Sequence, residues 1–188
     1  MLEVETKFLE VDPDVIAAAM ERLNAEKLYD GQIETRYYDT PEKTIRKQEK
    51  SLRLRFKAVT GDVRLTSKRK LSANVVRICE EHEVAIGNGS TASGRARYEE
   101  MHLLLAAINF CPYRDFQKHR TSWGIGDTRF ELDRILNVEG RAVDVPPLLE
   151  VESSSADAVM HYAGLLGLTE EQAQPLSTRA ILKRYKIV

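Results

Sequence analysis

The chain begins with the sequence MLEVETKF over residues 1–8, and the charge pattern of this stretch recurs along the rest of the chain. Alternate side chains of a β-strand point to opposite faces, so Glu3, Glu5 and Lys7 share one face and mostly apolar residues share the other. A half-buried strand usually turns its charged face to solvent. Taken alone, the stretch therefore supports a solvated charged face and a functional one equally.

Length and charge narrow the function classes. The 188 residues are enough for one domain, predicted to span 1–188, that buries a substantial core or walls a cavity. The formal net charge is -1, whereas proteins that bind nucleic acids or anionic membranes usually carry a strong basic excess. We therefore expect no nucleic-acid partner and no membrane partner, although a local basic site is compatible with this charge.

The chain also lacks the usual signals for export. No apolar run approaches the roughly 18 residues that a membrane span needs. The chain enters a charged strand at once, without the apolar segment of a signal peptide. Cys79 and Cys111 lack metal-type spacing and do not suggest a disulfide framework. The sequence thus predicts a cytoplasmic protein with two reduced thiols.

Hydrophobic periodicity predicts eight strands and several helices. In addition to the first strand, strands are predicted over about 32–39, 52–59, 63–70, 75–86, 114–123, 128–136 and 148–153. Helices are predicted over about 13–27, 97–110, 155–166 and 178–186, with a flexible loop at 87–94 and a turn near 169–172. This order favours an α+β fold with an antiparallel, closed β-sheet and helices packed outside it.

Charged residues two positions apart occur on six of these strands. The pairs are Glu3/Glu5, Arg53/Arg55, Glu81/Glu83, Lys118/Arg120, Glu131/Asp133 and Glu150/Glu152, with Lys7 beside the first pair and Lys68 on a further strand. The residues between and beside the pairs are often apolar. The strand at 114–123 fits less well, because Phe116 shares the face of Lys118 and Arg120.

Two orientations fit these pairs. Either the charges face solvent around an apolar barrel core, or they face inward and the apolar faces pack against the helices. The long amphipathic helices favour the second arrangement, because a closed barrel offers them only its outer surface. The interior would then hold eight carboxylates and six basic groups, and each unpaired buried ion costs several kcal/mol. A water-filled tunnel with a divalent metal and a polyphosphate would satisfy both signs of charge.

The same residues match a known family. Glu3-Val-Glu5-Thr-Lys7 resembles the N-terminal Glu-x-Glu-x-Lys signature of the CYTH, or triphosphate tunnel metalloenzyme, family, which is named after class IV adenylate cyclase and thiamine triphosphatase. The resemblance continues in the family's order over nearly the whole chain, through YYDT at 37–40, LRLR at 52–55, TSK at 66–68, EHE at 81–83, KHR at 118–120, ELD at 131–133 and LEVE at 149–152.

This resemblance implies an antiparallel eight-stranded β-barrel that binds a triphosphate and divalent cations, Mg²⁺ or Mn²⁺. The implied cation ligands are Glu3 and Glu5 near the attacked phosphorus, and Asp133, Glu150 and Glu152 for a second cation. The implied phosphate-binding residues are Lys7, Arg53, Arg55, Lys68, Lys118 and Arg120. Glu3, Glu5 and Lys7 would be catalytic. Glu81, Glu83 and Glu131 would lie in the tunnel, where orienting a basic neighbour is as good a role as binding metal.

Three functions are compatible with such a site. The first is hydrolysis of a triphosphate, inorganic or organic, by water that attacks the terminal phosphorus. The second is a class IV adenylate cyclase, which forms cyclic AMP and pyrophosphate from ATP. The third is a polyphosphate- or nucleotide-binding module without catalysis. The expected partner is a small-molecule triphosphate, and the sequence leaves open whether the protein forms a homodimer.

Two smaller features have structural interpretations. Asp39 precedes Thr40-Pro41 and is more typical of a turn cap than of a metal ligand. The tail at 184–186 (RYK) is read as a solvated helix end, with a plug of the tunnel as the alternative.

Overall fold

The computed structural model describes residues 2–87 and 90–188. Its strands are β1 (Leu2–Leu9), β2 (Glu26–Asp39), β3 (Lys50–Lys57), β4 (Val63–Ala73), β5 (Arg77–Gly87), β6 (Cys111–Ile125), β7 (Thr128–Val138), β8 (Arg141–Ala142) and β9 (Leu148–Ser153). Its helices are α1 (Pro13–Arg22), α2 (Thr44–Lys47), α3 (Thr91–Ala107), α4 (Ala156–Leu165) and α5 (Thr178–Arg184), with a 3₁₀ turn at Glu170–Gln172. None of the helices in these residues has both the length and the apolar character that a bilayer span requires.

Eight of the strands form a closed antiparallel barrel. They follow one another in the order β6, β2, β3, β4, β5, β1, β9, β7, and β7 pairs again with β6. The two-residue β8 pairs only with the end of β7. The predicted α+β class and the predicted closed eight-stranded barrel are therefore confirmed.

The apolar faces of the strands point outward, against the helices. Val4 and Phe8 of β1 pack with Met20 of α1 and Val159 of α4 in one buried cluster. On the other side of the barrel, Phe56 of β3 packs against α3 in a second cluster. Full burial of a side chain such as Phe8, which is 1% exposed, contributes about 1.5–3 kcal/mol. Because the helices occupy the outer apolar faces, the alternate residues of each strand must point into the barrel.

The first two helical predictions differ from the structure at their ends. Helix α1 ends at Arg22 rather than near 27, because Asn24 adopts a left-handed conformation (φ 50°) that stops the helix and β2 begins at Glu26. Helix α3 begins at Thr91 rather than near 97, since the side chain of Ser90 accepts a hydrogen bond from the backbone N–H of Ser93 and caps it.

The flexible loop predicted at 87–94 is therefore wrong for residues 91–94, which are helical, while Asn88 and Gly89 lie outside the described residues. The small residues that suggested a loop have a packing role instead. A Cβ atom on Gly94 would lie 2.0 Å from the backbone oxygen of Gly61, so the helix can approach the β3–β4 turn only through a glycine.

Helix α5 lies across one end of the barrel. Ile181 and Leu182 pack with Phe116 and neighbouring apolar side chains in a third buried cluster, and Leu182 also faces the barrel cavity. Phe116 belongs to this apolar end of the barrel, where β6 and β7 shift register just beyond it. Arg184 is exposed, which agrees with a solvated helix end at 184–186, while the helix before it borders the opening.

Candidate active site

The alternating charged residues converge inside the barrel. All fourteen predicted site residues lie in the described part of the chain, and none of them is exposed. The most buried are Glu3, Glu5, Lys7, Lys68, Lys118, Arg120, Asp133 and Glu150. By contrast, His82, which lies between Glu81 and Glu83 on the opposite face, has a side chain that is 70% exposed. The inward orientation predicted from the sequence is thus confirmed.

Three carboxylates approach one another closely. One oxygen each from Glu3, Glu150 and Glu152 lies within 4.8 Å of the other two. They meet because β1 and β9 are antiparallel neighbours that place Glu5 opposite Glu152 and Lys7 opposite Glu150. Burial, followed by the charges of Glu3 and Glu150, raises the pKa of Glu152 to about 8. We call these three residues the acidic triad.

The acidic triad suits a hard divalent cation. Carboxylate oxygens are the ligands that Mg²⁺ and Mn²⁺ prefer, and a bound cation removes the repulsion among crowded carboxylates. Burial and this repulsion together raise the pKa of Glu152. The residues present therefore fit the predicted divalent metal ion. They combine one residue of the first predicted cation site, Glu3, with two of the second, Glu150 and Glu152.

Two lysines join the acidic triad to Glu5. Lys7 Nζ lies 3.0 Å from Glu5 Oε1 and 3.0 Å from Glu150 Oε2. Lys68 Nζ lies 2.8 Å from Glu5 Oε2 and also contacts Glu3. Burial alone would lower the pKa of Lys7, but Glu150 and Glu5 outweigh burial and raise it. Each oxygen of Glu5 therefore contacts a lysine ammonium group, whereas the family resemblance implied that Glu5 binds a divalent metal ion.

Asp133 is similarly occupied by basic partners. Arg120 donates to it in a bidentate manner, with Nε 2.6 Å from Oδ1 and Nη2 2.6 Å from Oδ2, and Lys118 Nζ lies 2.6 Å from Oδ2. Burial would raise the pKa of Asp133, but Arg120 and Lys118 outweigh it and lower the pKa. Arg120 also binds Glu131. We call Lys118, Arg120, Glu131 and Asp133 the paired cluster.

Positive charge is crowded at the paired cluster. Burial and the adjacent Arg120 lower the pKa of Lys118 to about 7, even though Asp133 acts in the opposite direction. The two basic groups of the cluster therefore share the carboxylate of Asp133, and the second acid, Glu131, contacts only Arg120 among the contacts described.

The two arginines of β3 have donors to spare. Arg53 Nη2 is 3.6 Å from Glu81 Oε2, and across residues 2–87 and 90–188 no ion pair to Arg55 is found. The Nε atoms of both arginines are buried without a hydrogen-bond partner. Burial, then Arg53 and Arg120, lower the pKa of Arg55 to about 10. Such guanidinium groups are suited to bind phosphate oxygens.

Glu83 orients a neighbouring base rather than joining the acidic triad. Its Oε1 accepts from Arg64 Nη1 at 2.7 Å, and its Oε2 accepts from Thr66 Oγ1 at 2.9 Å. Burial would raise its pKa, but these hydrogen bonds and Arg55 lower it. Of the two roles left open for Glu83, the contacts support the orienting one.

A cavity of about 310 Å³ opens beside α5 and reaches the inner residues. Five predicted site residues line it: Glu5, Lys7, Arg53, Lys68 and Glu150. It also has a basic lining that the sequence reading missed, namely Arg46, Lys50, Lys70, Arg77, Arg114 and Arg179. Strand alternation could have found two of these, because Arg77 shares the face of Glu81 and Arg114 that of Lys118.

Arg46 reaches the cavity from the short helix α2, whose start Asp39 organises. The Asp39 carboxylate accepts hydrogen bonds from the backbone N–H groups of Thr40, Ile45 and Arg46 and from Arg46 Nε at 2.7 Å. This confirms the predicted capping role of Asp39. The guanidinium of Arg46 then lies 3.9 Å from the centre of the Tyr113 ring, at the cavity wall. A helix of one turn is too short to give a periodic signal in the sequence.

Solved structures with the same architecture support the fold. A protein of Pyrococcus horikoshii, PH1012, is 23% identical over 95% of this chain and 98% of its own, with a TM-score of 0.73. A Vibrio parahaemolyticus protein named as a candidate adenylate cyclase is 19% identical over 97% and 98% of the two chains, with a TM-score of 0.74. At such identities the likeness concerns the fold alone.

A further neighbour comes from Hippeastrum and is described as a candidate adenylyl cyclase with a dominant triphosphatase activity. It is 16% identical over 99% of this chain and 97% of its own, with a TM-score of 0.67. No curated protein sequence matches the chain. The model of the CYTH domain, however, matches residues 1–173, nearly the whole sequence. The chain therefore belongs to the CYTH domain family.

Proposed function

We propose that the protein is a divalent-metal-dependent triphosphatase that removes the terminal phosphate of a triphosphate chain inside the barrel. The observation that carries the proposal is the acidic triad beside a basic cavity, since Glu150 belongs to both. Members of the CYTH family are typically metal-dependent triphosphatases, which agrees with this assignment.

The acidic triad is the proposed cation site. Glu3, Glu150 and Glu152 would hold one Mg²⁺ or Mn²⁺, which when bound supplies charge neutralisation for phosphate oxygens and activation of water. This choice differs from the sequence-based grouping, because both carboxylate oxygens of Glu5 and of Asp133 contact lysine or arginine groups. Glu3 and Glu150 each contact one lysine through a single oxygen in the contacts described. We assign Glu5 to positioning Lys7 and Lys68, and Asp133 to positioning Lys118 and Arg120.

The basic side chains bind and orient the phosphate chain. Lys7 and Lys68 lie next to the acidic triad, so their ammonium groups can hold the phosphate whose bond is broken. Arg53 and Arg55 offer unpartnered N–H donors to the following phosphates. Negative charge on the phosphate oxygens and on the leaving group is stabilised by these fixed donors, which need little rearrangement during the reaction. Lys118 and Arg120 complete the grip on the far side.

The proposal is tested with a substrate panel. The purified protein is incubated with tripolyphosphate, thiamine triphosphate and ATP, each with Mg²⁺, with Mn²⁺ and with a chelator, and the products are identified. We expect orthophosphate and the diphosphate product, with no turnover in the chelator. Glu150→Gln should lower kcat by about 100-fold or more, because it removes a triad carboxylate and a partner of Lys7. Glu100→Gln, on the exposed surface of α3, is the matched control.

Three outcomes would contradict the proposal. Cyclic AMP and pyrophosphate from ATP would identify a cyclase that uses the same phosphate grip. Tight triphosphate binding without turnover under any divalent cation would identify a binding module. A Glu150→Gln variant that retains full metal-dependent activity would show that the acidic triad is not the cation site.

A further inference from the structure

Cys79 differs from the charged side chains around it inside the barrel. It is 0% exposed, yet it belongs to none of the three buried apolar clusters found in the described part of the chain. Two positions before it on β5, Arg77 lines the cavity, and two positions after it, Glu81 Oε2 lies 3.6 Å from Lys68 Nζ. Strand alternation therefore directs the Cys79 thiol inward as well. Packing against the helices does not account for this residue.

The thiol lies beside the proposed cation site. Antiparallel pairing of β1 with β5 places Cys79 opposite Glu3, and side chains paired in this way have Cβ atoms about 4.5–5.5 Å apart. Glu3 is 8% exposed, and its Oε2 accepts no hydrogen bond from the described residues, its described contact being the ion pair with Lys68. Lys68 also has Glu5 Oε2 at 2.8 Å. The Glu3 carboxylate can therefore turn to another cation without leaving this lysine unpaired.

A thiol changes which metal such a position prefers. Carboxylate oxygens suit the hard cations Mg²⁺ and Mn²⁺, whereas thiolate sulfur selects softer cations such as Zn²⁺. Zn²⁺ accepts both thiolate sulfur and carboxylate oxygen, with water completing a four-coordinate site. The basic residue opposite Cys79 on β4 is Lys70, whose Nζ lies 2.8 Å from Glu49 Oε1. Its charge is thus compensated by another residue, and a cation at the thiol meets less repulsion from it.

We propose that Cys79 determines metal specificity at the proposed cation site, where its thiolate and the carboxylate of Glu3 bind Zn²⁺ in competition with Mg²⁺ or Mn²⁺. The inference rests on the proposed function, because the cation that Zn²⁺ displaces is the one that the triphosphatase uses. The bond between Zn²⁺ and Sγ forms as the thiol proton passes to solvent. Among the described residues, the ligand atoms that lie within 4.8 Å of one another are those of the acidic triad and do not include Sγ. Zn²⁺ therefore draws Glu3 toward β5, and the acidic triad loses one carboxylate and its activity.

Spectroscopy with Cd²⁺ tests the site directly. Cd²⁺ is the probe because its thiolate complexes absorb ultraviolet light by charge transfer between sulfur and metal. We expect a single tightly bound Cd²⁺ per chain with this absorption, and displacement of it by Zn²⁺. Cys79→Ser should abolish the absorption and lower the affinity for Cd²⁺ by about 100-fold or more, because the sulfur ligand is lost. Cys111→Ser removes the exposed thiol and is the matched control, which should keep both.

X-ray absorption of the Zn²⁺-loaded unaltered protein gives a result that does not depend on how a variant folds. We expect one sulfur ligand at about 2.3 Å from Zn²⁺. If Cys79→Ser does not fold, Cys79→Ala replaces it, because alanine places no polar atom at this buried position. Zn²⁺ ligated by oxygen and nitrogen alone overturns the inference. So does a Cd²⁺ absorption that Cys111→Ser removes and Cys79→Ser retains.

Activity measurements separate this inference from the proposed function. The Zn²⁺ concentration that halves Mg²⁺-dependent triphosphate hydrolysis should rise by about tenfold or more in Cys79→Ser, and an unchanged value contradicts the competition. Sulfur ligation of the metal in a protein that hydrolyses no triphosphate would keep the thiol site and overturn the triphosphatase function. Metal-dependent hydrolysis without sulfur ligation would keep the triphosphatase function and overturn the role of Cys79.

Discussion

The paired cluster and the acidic triad occupy the same barrel, are built by the same strand alternation, and differ in how their charges are balanced. In the paired cluster, the carboxylate of Asp133 is held by three short contacts from Arg120 and Lys118. In the acidic triad, Glu152 faces two other carboxylates, and its pKa rises to about 8 as a consequence of burial and their charge. The carboxylate of Asp133 is neutralised by protein groups. The acidic triad instead keeps an excess of carboxylates, which a bound metal cation would neutralise.

This difference follows from the register of neighbouring strands. Antiparallel pairing places Arg120 of β6 opposite Asp133 of β7, so unlike charges meet. The pairing of β1 with β9 places Glu5 opposite Glu152, so like charges meet. A buried ion that keeps its partner can be tolerated, but an unpartnered one destabilises the folded state. We infer that the first register stabilises and positions the basic groups Lys118 and Arg120, whereas the second creates the proposed cation site.

The largest expected effect comes from breaking the paired cluster. Asp133→Ala leaves Lys118 and Arg120 buried without their shared carboxylate. We expect a loss of about 3–5 kcal/mol in the free energy of unfolding, the usual cost of removing one partner of a buried ion pair. Urea denaturation followed by circular dichroism measures it. Asp30→Asn, which alters an ion pair exposed to solvent on both sides, is the control and should change stability by less than about 1 kcal/mol.

A small effect of Asp133→Ala would contradict the comparison. It would mean that Glu131 or water compensates Lys118 and Arg120 fully, so Asp133 would not be the carboxylate that balances the paired cluster. Phosphate-ion titration of the variant sharpens the result, since two uncompensated bases should make its stability more dependent on anions than that of the unaltered protein.

The second largest effect is expected from removing one carboxyl group of the acidic triad. Glu152→Gln removes a carboxyl group that is ionised above its raised pKa of about 8 and for which no basic partner within 4.0 Å is found among the described residues. We expect metal-dependent turnover to fall by about 100-fold, because one cation ligand is lost. Above pH 8, where Glu152 is ionised, the melting temperature without metal should stay equal or rise in the variant, because repulsion from Glu3 and Glu150 is removed. Activity assays and thermal melting with a chelator measure the two changes.

Opposite signs for activity and stability are the diagnostic result for Glu152→Gln. A variant that loses stability as well as activity would show that Glu152 is a structural residue with a partner in the barrel. Added Mg²⁺ or Mn²⁺ should stabilise the unaltered protein more than the variant, by mass action on the folded state.

Strand alternation explains why so much of the barrel could be predicted. The charge of Glu3, Glu5 and Lys7 at every second position, with apolar residues between, fixes which side faces the helices once the sheet closes. That logic places all predicted site residues inside without any knowledge of strand order. It also extends to Arg77 and Arg114, which the same rule could have included.

The grouping of these residues could not be predicted in the same way, because it depends on which strands are neighbours and on their register. Because Glu3 and Glu5 are close in sequence, they are expected to bind the same metal cation. In the structure, however, the two oxygens of Glu5 contact Lys7 and Lys68. Glu3 instead meets residues that are about 150 positions later in the chain. Arg46 reaches the cavity only because the carboxylate of Asp39 holds the start of α2 in place.

The smallest effect that we predict concerns the carboxylate of Asp39. Asp39 is 1% exposed and accepts four hydrogen bonds, so Asp39→Asn should lower the free energy of unfolding by about 1.5–3 kcal/mol at pH 7. Burial would raise the pKa of Asp39, but Arg46 and the backbone donors outweigh burial and lower it. A lowered pKa contributes stability above the unfolded value, near 3.9, and this contribution is lost as the pH falls through the folded value.

The difference in stability between the unaltered protein and Asp39→Asn should therefore be constant from pH 7 to about pH 5 and shrink below about pH 4. Urea denaturation at pH 7, 5 and 3 measures it. A difference that persists unchanged at pH 3 would assign the effect to shape rather than to charge. Asp39 holds Arg46 at the cavity wall and does not belong to the acidic triad. This variant therefore tests the cavity wall separately from the acidic triad. It should weaken anion binding at the cavity wall, without the stabilisation that we expect from Glu152→Gln.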